Sequence, residues 1–210
     1  MYLFYRSAQL GSGDLREQLA WATRITEKVN QINETPVTLW STAYSPAVNT
    51  LVWTTEIEHL ATLESNFDKL LADAGYLDLV ADAAKWATPQ GVNDGVVQYL
   101  TESDAVTQPA YSTVVVATLA PGSFTKGVEV GLELAKRAQQ ASGIATQFAV
   151  GVTGVYGQVS WLAGYESIEQ VERAQQALNA DPSFAAYLDG EAKTCYLPGT
   201  ATQTVYRRIA

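Results

Sequence analysis

The spacing of apolar residues changes repeatedly along the first hundred positions, and each change predicts a new element. Tyr2–Leu10 is a run of aromatic and apolar residues that stops at a Gly-Ser-Gly turn, which predicts a strand. From Leu15 onward, apolar residues recur every three or four positions until Pro36, which predicts an amphipathic helix. Residues 37–44 and 49–56 are rich in β-branched and aromatic side chains, and they predict a hairpin.

A second helical pattern and a last strand complete this half of the chain. The helical face consists of apolar residues at three- and four-residue steps, namely Leu60, Leu63, Phe67, Leu70, Leu71 and Ala74. Thr55, three positions before Glu58, predicts a capping pair for this helix. Residues 76–86 predict a shorter helix and residues 95–100 a strand, so the order is strand, helix, strand, strand, helix, strand.

The same order recurs after the polar, proline-ended stretch 101–109, which suits a linker. Adding 108 to the numbers of the first half places Trp53 on Trp161 and Leu70 on Leu178 without a gap. Closer to the N-terminus the offset is 109. The chain is therefore predicted to be a tandem duplication with modules at residues 1–104 and 110–210.

Residues 161–193 carry the segments Trp-Leu-Ala-Gly-Tyr-Glu-Ser, Val-Glu-Arg and Leu-Asn-Ala-Asp-Pro-Ser-Phe. This stretch resembles the second half of a NIPSNAP-type domain, a family of the dimeric α/β-barrel superfamily. The resemblance and the element order together predict an α+β fold. Two tandem ferredoxin-like β-α-β-β-α-β modules would contribute antiparallel sheets that form an α/β barrel. Such a chain is expected to be a monomer with an internal pseudo-dimer, or a homodimer.

Charge and composition narrow the classes of partner. The chain has 210 residues, 47% of them hydrophobic, and a formal net charge of −9, which repels phosphate backbones and anionic lipid heads. We therefore expect no nucleic-acid or membrane partner. No N-terminal signal is visible, and the one cysteine, Cys195, cannot form an intramolecular disulfide, so a cytoplasmic location is predicted.

The sequence contains one histidine, His59, so any histidine-based proton transfer or haem ligation must use it. Its position at the start of the second predicted helix favours an exposed or capping side chain. No His-x-x-x-His or Cys-x-x-Cys occurs, and we predict no metal site and no cofactor.

Arg6 is the least expected residue of the first strand, since a sheet covered on both faces would bury its charge. A nearby carboxylate such as Glu56, or a ligand, is expected to pair with it. The residue at the matching position of the second half is Val115. This asymmetry predicts a polar pocket in the first module.

Four further residues on the predicted strands could line a pocket for a flat apolar molecule: Tyr5, Trp40, Trp53 and Thr55. Aromatic residues on strands are also ordinary core residues, and the recurrence of Trp53 as Trp161 favours packing for that pair. Tyr99, on the last strand of the first half, is a candidate for proton transfer.

Together with the resemblance, these residues favour an enzyme that acts without metal on a small apolar or aromatic metabolite, as a monooxygenase, isomerase or cyclase. Arg6 would stabilise developing negative charge, and Tyr5, Tyr99 or His59 would transfer a proton. Two alternatives stay open. One is a non-catalytic ligand-binding or assembly protein, and the other is a haem protein that uses His59 as axial ligand.

Overall fold

The computed structural model describes residues 1–45, 47–101 and 108–210, together with the side chains of these residues except those of Ala87, Pro89 and Gln90. Pro46 of the predicted hairpin turn and most of the predicted linker lie outside the described residues. The chain divides into two compact units. Unit 1 contains Met1–Val96 and Arg208–Ala210, and unit 2 contains Val97–Arg207.

Unit 1 follows the predicted element order. Its elements are β1 (Tyr2–Leu10), α1 (Leu15–Ile32), β2 (Thr38–Ala43), β3 (Thr50–Ile57), α2 (Leu60–Leu71), α3 (Ala74–Asp82), a 3₁₀ turn (Ala83–Lys85) and the start of β4 (Ala87–Tyr99). The last strand begins eight residues earlier than predicted. Pro89 and Gly91 are turn signals in the sequence, yet their backbone continues the strand.

The helix starts of unit 1 show where local signals succeed and fail. Asp14 caps α1 by accepting a hydrogen bond from the backbone N–H of Arg16 at 2.8 Å, as its position before an apolar-periodic stretch predicts. The predicted Thr55–Glu58 capping pair is wrong. Thr55 lies inside β3, opposite Phe4 of β1, and His59 is the N-cap of α2, without a side-chain hydrogen bond there. Because β3 pairs with β1, the strand continues through Thr55, where the sequence indicated a helix cap.

The sheet of unit 1 buries one face against its helices. β1 pairs antiparallel with β3 from Tyr2↔Ile57 to Gln9↔Thr50, and β2 pairs with β3 on its other side. Leu10, Leu39 and Leu51 pack there with α1 residues to form the main core of the unit, which also contains Trp21, Ala22, Ile25, Leu70 and Tyr76. Because strand side chains alternate between faces, this core identifies the helix-facing residues of each strand.

Unit 2 repeats the plan. The elements are β5 (Tyr111–Thr118), α4 (Phe124–Ser142), β6 (Thr146–Gly151), β7 (Gln158–Tyr165), α5 (Ile168–Ala180), α6 (Pro182–Gly190), a 3₁₀ turn (Ala192–Thr194) and β8 (Thr202–Arg208). Asp181 caps α6, and Pro182 occupies its first position, which is a start signal in adjacent residues. Phe148 and Val159 are fully buried in the core beneath α4.

The fold class is confirmed: it is α+β, with two β-α-β-β-α-β halves and eight strands in a closed antiparallel barrel. No helix among the described residues is long and apolar enough to cross a membrane. The predicted duplication is visible in detail, since α1 and α4 begin at Leu15 and Phe124, which the 109 offset matches.

The duplicated tryptophans bind equivalent helices in two ways. The indole N–H of Trp161 donates directly to the carbonyl of Gly131 in α4 at 2.9 Å. In unit 1 the indole N–H of Trp53 donates to the hydroxyl of Thr26 at 2.8 Å, and that hydroxyl donates to the carbonyl of Ala22, the counterpart of Gly131, at 2.7 Å. Thr26 therefore acts as a hydrogen-bond relay between strand and helix.

Replacing Thr26 with the isosteric apolar residue valine tests how much this relay contributes to stability. We expect Thr26→Val to lower the free energy of unfolding of the protein by about 1–3 kcal/mol, because the Trp53 indole N–H loses its acceptor in a part-buried site. Urea denaturation followed by far-UV circular dichroism measures the change. Thr23→Val, on the same helix and half-buried, is the control. Equal stability of the two variants would contradict the relay.

Candidate functional site

Arg6 lies on the helix-facing side of the unit 1 sheet. It is directly opposite Trp53 on β3, and Trp53 is in turn opposite Leu39 on β2. Leu39 is fully buried in the core under α1, and Trp53 packs against the same core. Cross-strand neighbours share a face, so the Arg6 side chain projects toward the helices.

The guanidinium of Arg6 is held by a carboxylate on β4. Its Nε donates to Oδ1 of Asp94 and its Nη2 donates to Oδ2, both at 2.7 Å, which is a bidentate pair. The side chains are 31% and 46% exposed, so the pair is reachable from solvent. A carboxylate partner was predicted, but Glu56 is not the residue that supplies it.

Aromatic side chains flank this ion pair. The Cζ of Arg6 lies 5.9 Å from the ring centroid of Phe4, two positions away on the same face of β1. Tyr76 of α3 is buried, and its side chain interacts with the guanidinium through a hydrogen bond and electrostatically. The hydrogen bonds to Asp94 are the largest cause that raises the pKa of Arg6, burial opposes them, and Tyr76 adds to the increase. Arg6 is therefore a permanent cation.

Thr55 adds a polar atom without a partner to this face. It is 6% exposed and lies opposite Phe4, which makes it a diagonal neighbour of Arg6, about 7–8 Å away by sheet geometry. Its Oγ1 has no hydrogen-bond partner among the residues that the structure describes. A buried hydroxyl without a partner is costly and invites a ligand or a water. We call Phe4, Arg6, Thr55, Tyr76 and Asp94 the Arg6 site.

The start of α3 positions Tyr76 in this site. Asp73 is the N-cap, and its carboxylate accepts a hydrogen bond from the backbone N–H of Tyr76 at 2.8 Å. Lys28 of α1 pairs with the same carboxylate at 2.9 Å. The hydrogen bond from Lys28, followed by that from Tyr76, holds the pKa of Asp73 below its usual range.

The lowered pKa of Asp73 makes the stability of the folded protein depend on pH. A carboxyl group whose pKa falls on folding stabilises the folded state above its unfolded pKa, near 3.8, and loses this contribution as pH falls through the folded value. Asparagine keeps the cap but removes the charge. We therefore expect Asp73→Asn to lower the thermal midpoint at pH 7 and to match the wild type near pH 2. Asp78→Asn, exposed on α3, should leave the midpoint unchanged at both pH values.

Tyr5 and Trp40 lie on the opposite face of the sheet from Arg6. Tyr5 pairs with Thr54, and the indole N–H of Trp40 donates to the hydroxyl of that same threonine at 2.8 Å. The Tyr5 ring crosses Gly95, where a Cβ would overlap it, so the glycine makes room for the ring. The structure thus groups Arg6, Trp53 and Thr55 on one face, and Tyr5 and Trp40 on the other.

The two remaining candidates are His59 and Tyr99. His59 is exposed at the N-cap of α2, and Tyr99 is a buried residue of β4 that belongs to unit 2, where it pairs with Ala149. A haem held by His59 would need a buried apolar pocket against that side chain. The side chain of His59 is exposed, so no such pocket encloses it and its surroundings do not fit a haem. The described residues also contain no group of three or more His, Cys, Asp or Glu placed to hold a metal ion.

Sequence reasoning missed Phe4, Tyr76 and Asp94, although the duplication carried a signal for two of them. The counterparts of Arg6, Tyr76 and Asp94 in the second half are Val115, Phe184 and Thr202. These three differences between the halves therefore converge in one site. Comparing the two halves position by position could have indicated the Arg6 site from the sequence.

Several solved structures share this architecture over the whole chain. A candidate monooxygenase from Fusobacterium nucleatum subsp. nucleatum aligns with 100% of this chain and 92% of its own, with a TM-score of 0.72 and 9% identity. An anthrone oxidase-like protein covers 100% and 91%, with a TM-score of 0.69 and 13% identity. A variant of the chlorite dismutase from Candidatus Nitrospira defluvii covers 98% and 90%, with a TM-score of 0.53 and 11% identity.

These full-length likenesses define a two-module α/β-barrel protein. The chain has the fold of the dimeric α/β-barrel superfamily, as its sequence predicted. At such identities the likeness shows the fold alone. A NIPSNAP-like domain protein from Burkholderia xenovorans aligns with 48% of this chain and 85% of its own, with a TM-score of 0.42 and 16% identity. No protein-family model and no curated protein matches the sequence.

Proposed function

We propose that unit 1 is a metal-free enzyme for a small apolar or aromatic metabolite that reacts through an enolate or phenolate. The observation that carries this proposal is the Arg6 site, a solvent-reachable bidentate Arg6–Asp94 pair beside an aromatic ring and a buried hydroxyl without a partner. A cation, an acceptor of protons and an apolar surface are the parts that such a reaction requires.

Charge stabilisation is the role proposed for Arg6. Asp94 occupies two of the five guanidinium N–H groups, and the others face Tyr76 or can donate to an oxyanion. The hydroxyl of Thr55 can donate a further hydrogen bond, since it has no partner among the described residues. The ring of Phe4 would contact the apolar part of the substrate.

Proton removal from the substrate is the role proposed for Asp94. Its carboxylate is 46% exposed, so a substrate can reach it, and the guanidinium that it contacts would hold the oxyanion formed in the same step. The hydroxyl of Tyr76 would pass the proton on from Asp94 or give it back to the substrate. Tyr5 lies on the other face of the sheet, so it is not part of this proposal.

Proton removal is the step that oxygenation and isomerisation have in common. An enolate that meets O₂ is oxygenated, whereas one that is protonated at another carbon is isomerised. The candidate monooxygenase and the anthrone oxidase-like protein share the fold, which supports oxygenation as the first reaction to test. Anthrone is a suitable probe, because its enolate reacts as anthrone + O₂ → anthraquinone + H₂O and needs no further reductant.

An oxygen electrode provides the test. The purified protein with anthrone in the presence of EDTA should consume one O₂ for each anthraquinone formed, above the rate without protein. Absorption by anthraquinone measures the product. A rate equal to the background for anthrone and for related phenols and enols would defeat the proposal of an oxygenase.

A non-catalytic binding protein is the second candidate, and the bidentate pair itself favours it. A carboxylate that already neutralises Arg6 serves equally well as a structural brace. The two functions separate by native mass spectrometry combined with the oxygen assay. A molecule that co-purifies with the protein and is released unchanged, without turnover, supports binding alone.

Compartment and assembly complete the proposal. Cys195 is buried and unpaired, which agrees with a reducing compartment, so the cytoplasm is the proposed location. A small molecule is the proposed partner, and the chain is proposed to work as a monomer with an internal pseudo-dimer, or as a homodimer.

A further inference from the structure

A groove on the surface of unit 1 is lined by two tryptophans and by an arginine that has no partner among the described residues. Its volume is about 290 Å³. It is formed by four residues of α1 at helical spacing and three at the end of α3 and its 3₁₀ turn, namely Glu17, Ala20, Trp21, Arg24, Asp82, Lys85 and Trp86. We call it the α1–α3 groove. None of these residues belongs to the Arg6 site.

The aromatic walls of the groove are fixed. Trp21 is 4% exposed, and its indole N–H donates to the carbonyl of Leu79 at 2.8 Å. The carbonyl of Trp86 accepts a hydrogen bond from the N–H of Gly11 at 2.9 Å. A Cβ on Gly13 would lie 3.3 Å from Cζ3 of Trp86, so the glycine lets the loop close over the ring. Trp21 is a core residue with almost no exposed surface, whereas the ring of Trp86 is half-buried, so Trp86 is the ring that a ligand can stack on with little loss of entropy.

Arg24 gives the groove an available positive charge. Lys85 pairs with Asp82 at 2.6 Å, whereas the guanidinium of Arg24 has no partner among the residues that the structure describes. The lining also contains Glu17, so its formal charge is balanced, and Arg24 is the cation in it that Asp82 does not neutralise. Ala20 lies one turn before Arg24 on α1, and its small side chain leaves the groove beside the guanidinium unfilled.

The second half of the chain lacks the two tryptophans and the arginine of this groove. Trp21, Arg24 and Trp86 correspond to Val130, Glu133 and Thr194. Glu133 forms an ion pair with Arg137 at 2.8 Å, so the position of the free cation is taken by a paired anion. Packing of the duplicated module therefore does not require the rings or the guanidinium of the groove.

We propose that the α1–α3 groove is a second binding site, which takes a small planar aromatic carboxylate. The ring would stack on Trp86, and the carboxylate would accept hydrogen bonds from Arg24 in a fork. The volume is at the lower end for ligand sites, which limits the ligand to one or two fused rings. This site stands independently of the function proposed for the Arg6 site.

Isothermal titration calorimetry with 2-naphthoate tests the proposal. The wild-type protein should bind one 2-naphthoate per unit 1, and the uncharged 2-naphthamide should bind about tenfold more weakly. Arg24→Gln should weaken the binding of 2-naphthoate by about tenfold without changing that of the amide. Ala20→Leu should abolish the binding of both, because the larger side chain fills the groove.

Matched variants control for charge and volume. Arg16→Gln removes an equal charge from α1 outside the groove, and Ala61→Leu adds an equal volume to an exposed position of α2, so both should bind as the wild type does. The absence of 2-naphthoate binding to the wild type overturns the proposal. Binding that survives Arg24→Gln and Ala20→Leu but is lost in Arg6→Met also overturns it, and assigns the ligand to the Arg6 site.

Discussion

Arg6→Met is expected to lower kcat for anthrone oxidation by at least about a hundredfold while the protein stays folded. Methionine matches the length of the side chain but cannot donate a hydrogen bond to an oxyanion, and loss of one such donor in an enzyme costs roughly 10²–10³ in kcat. Asp94, left without its partner, is 46% exposed and can be solvated in its place. The oxygen electrode measures the rate, and circular dichroism confirms the fold.

Two further variants make this result specific. Arg16→Met removes an exposed arginine from α1 and should retain the wild-type rate. Asp94→Asn keeps the size of the side chain and removes the base, so kcat should fall while KM changes less. If Arg6→Met and Arg16→Met were equally active, Arg6 would be a structural residue, and the non-catalytic candidate would gain.

Phe148→Ala should cause the largest loss of stability, about 3–5 kcal/mol in the free energy of unfolding. Phe148 is fully buried on β6, and its ring centroid lies 5.3 Å from that of Trp161. Removing the ring leaves a cavity that the surrounding strands and α4 fill only in part. Urea denaturation of the protein, followed by tryptophan fluorescence, measures this loss. Val152→Ala, at an exposed position beyond β6, is the control and should change stability by less than about 0.5 kcal/mol, as surface substitutions do.

The neighbour of Phe148 on α4 allows a double-mutant cycle. A Cβ at Gly131 would overlap the ring of Phe148, so Gly131→Ala should destabilise by about 1–3 kcal/mol despite the better helix propensity of alanine. With Phe148→Leu already present, the same change should cost less, because the smaller side chain gives way. Additive effects would show that the ring and the glycine are not in contact.

Local patterns predicted most elements of this fold because each element carries its own signal. β8, Thr202–Arg208, coincides with a run of β-branched and aromatic residues. The start of α6 is correct because Asp181 and Pro182 encode a cap and a first helical turn in adjacent residues. The predicted cap of α2 was wrong because pairing with β1 extends β3 through Thr55, and the predicted start of β4 was wrong because the strand continues through Pro89 and Gly91.

The candidate site was predicted in part for a related reason. Arg6 stood out because a charge in a covered sheet needs a partner, and the partner exists. The identity of that partner depends on which strand lies beside β1, and Asp94 is 88 residues away. Tyr5 and Thr55 were assigned to one pocket from sequence. The register places them on opposite faces, because a strand reverses its side chains at every step.

The sequence by itself determined the duplication, the element order and the presence of an unusual cation in the first module, because periodicity and caps are properties of neighbouring residues. Only the tertiary structure decided which residues meet. It joined Arg6 to Asp94 and Tyr76, left Thr55 without a partner among the described residues, and opened a groove beside Arg24. These contacts link distant segments, and their geometry follows from strand register and helix packing, which no local pattern encodes.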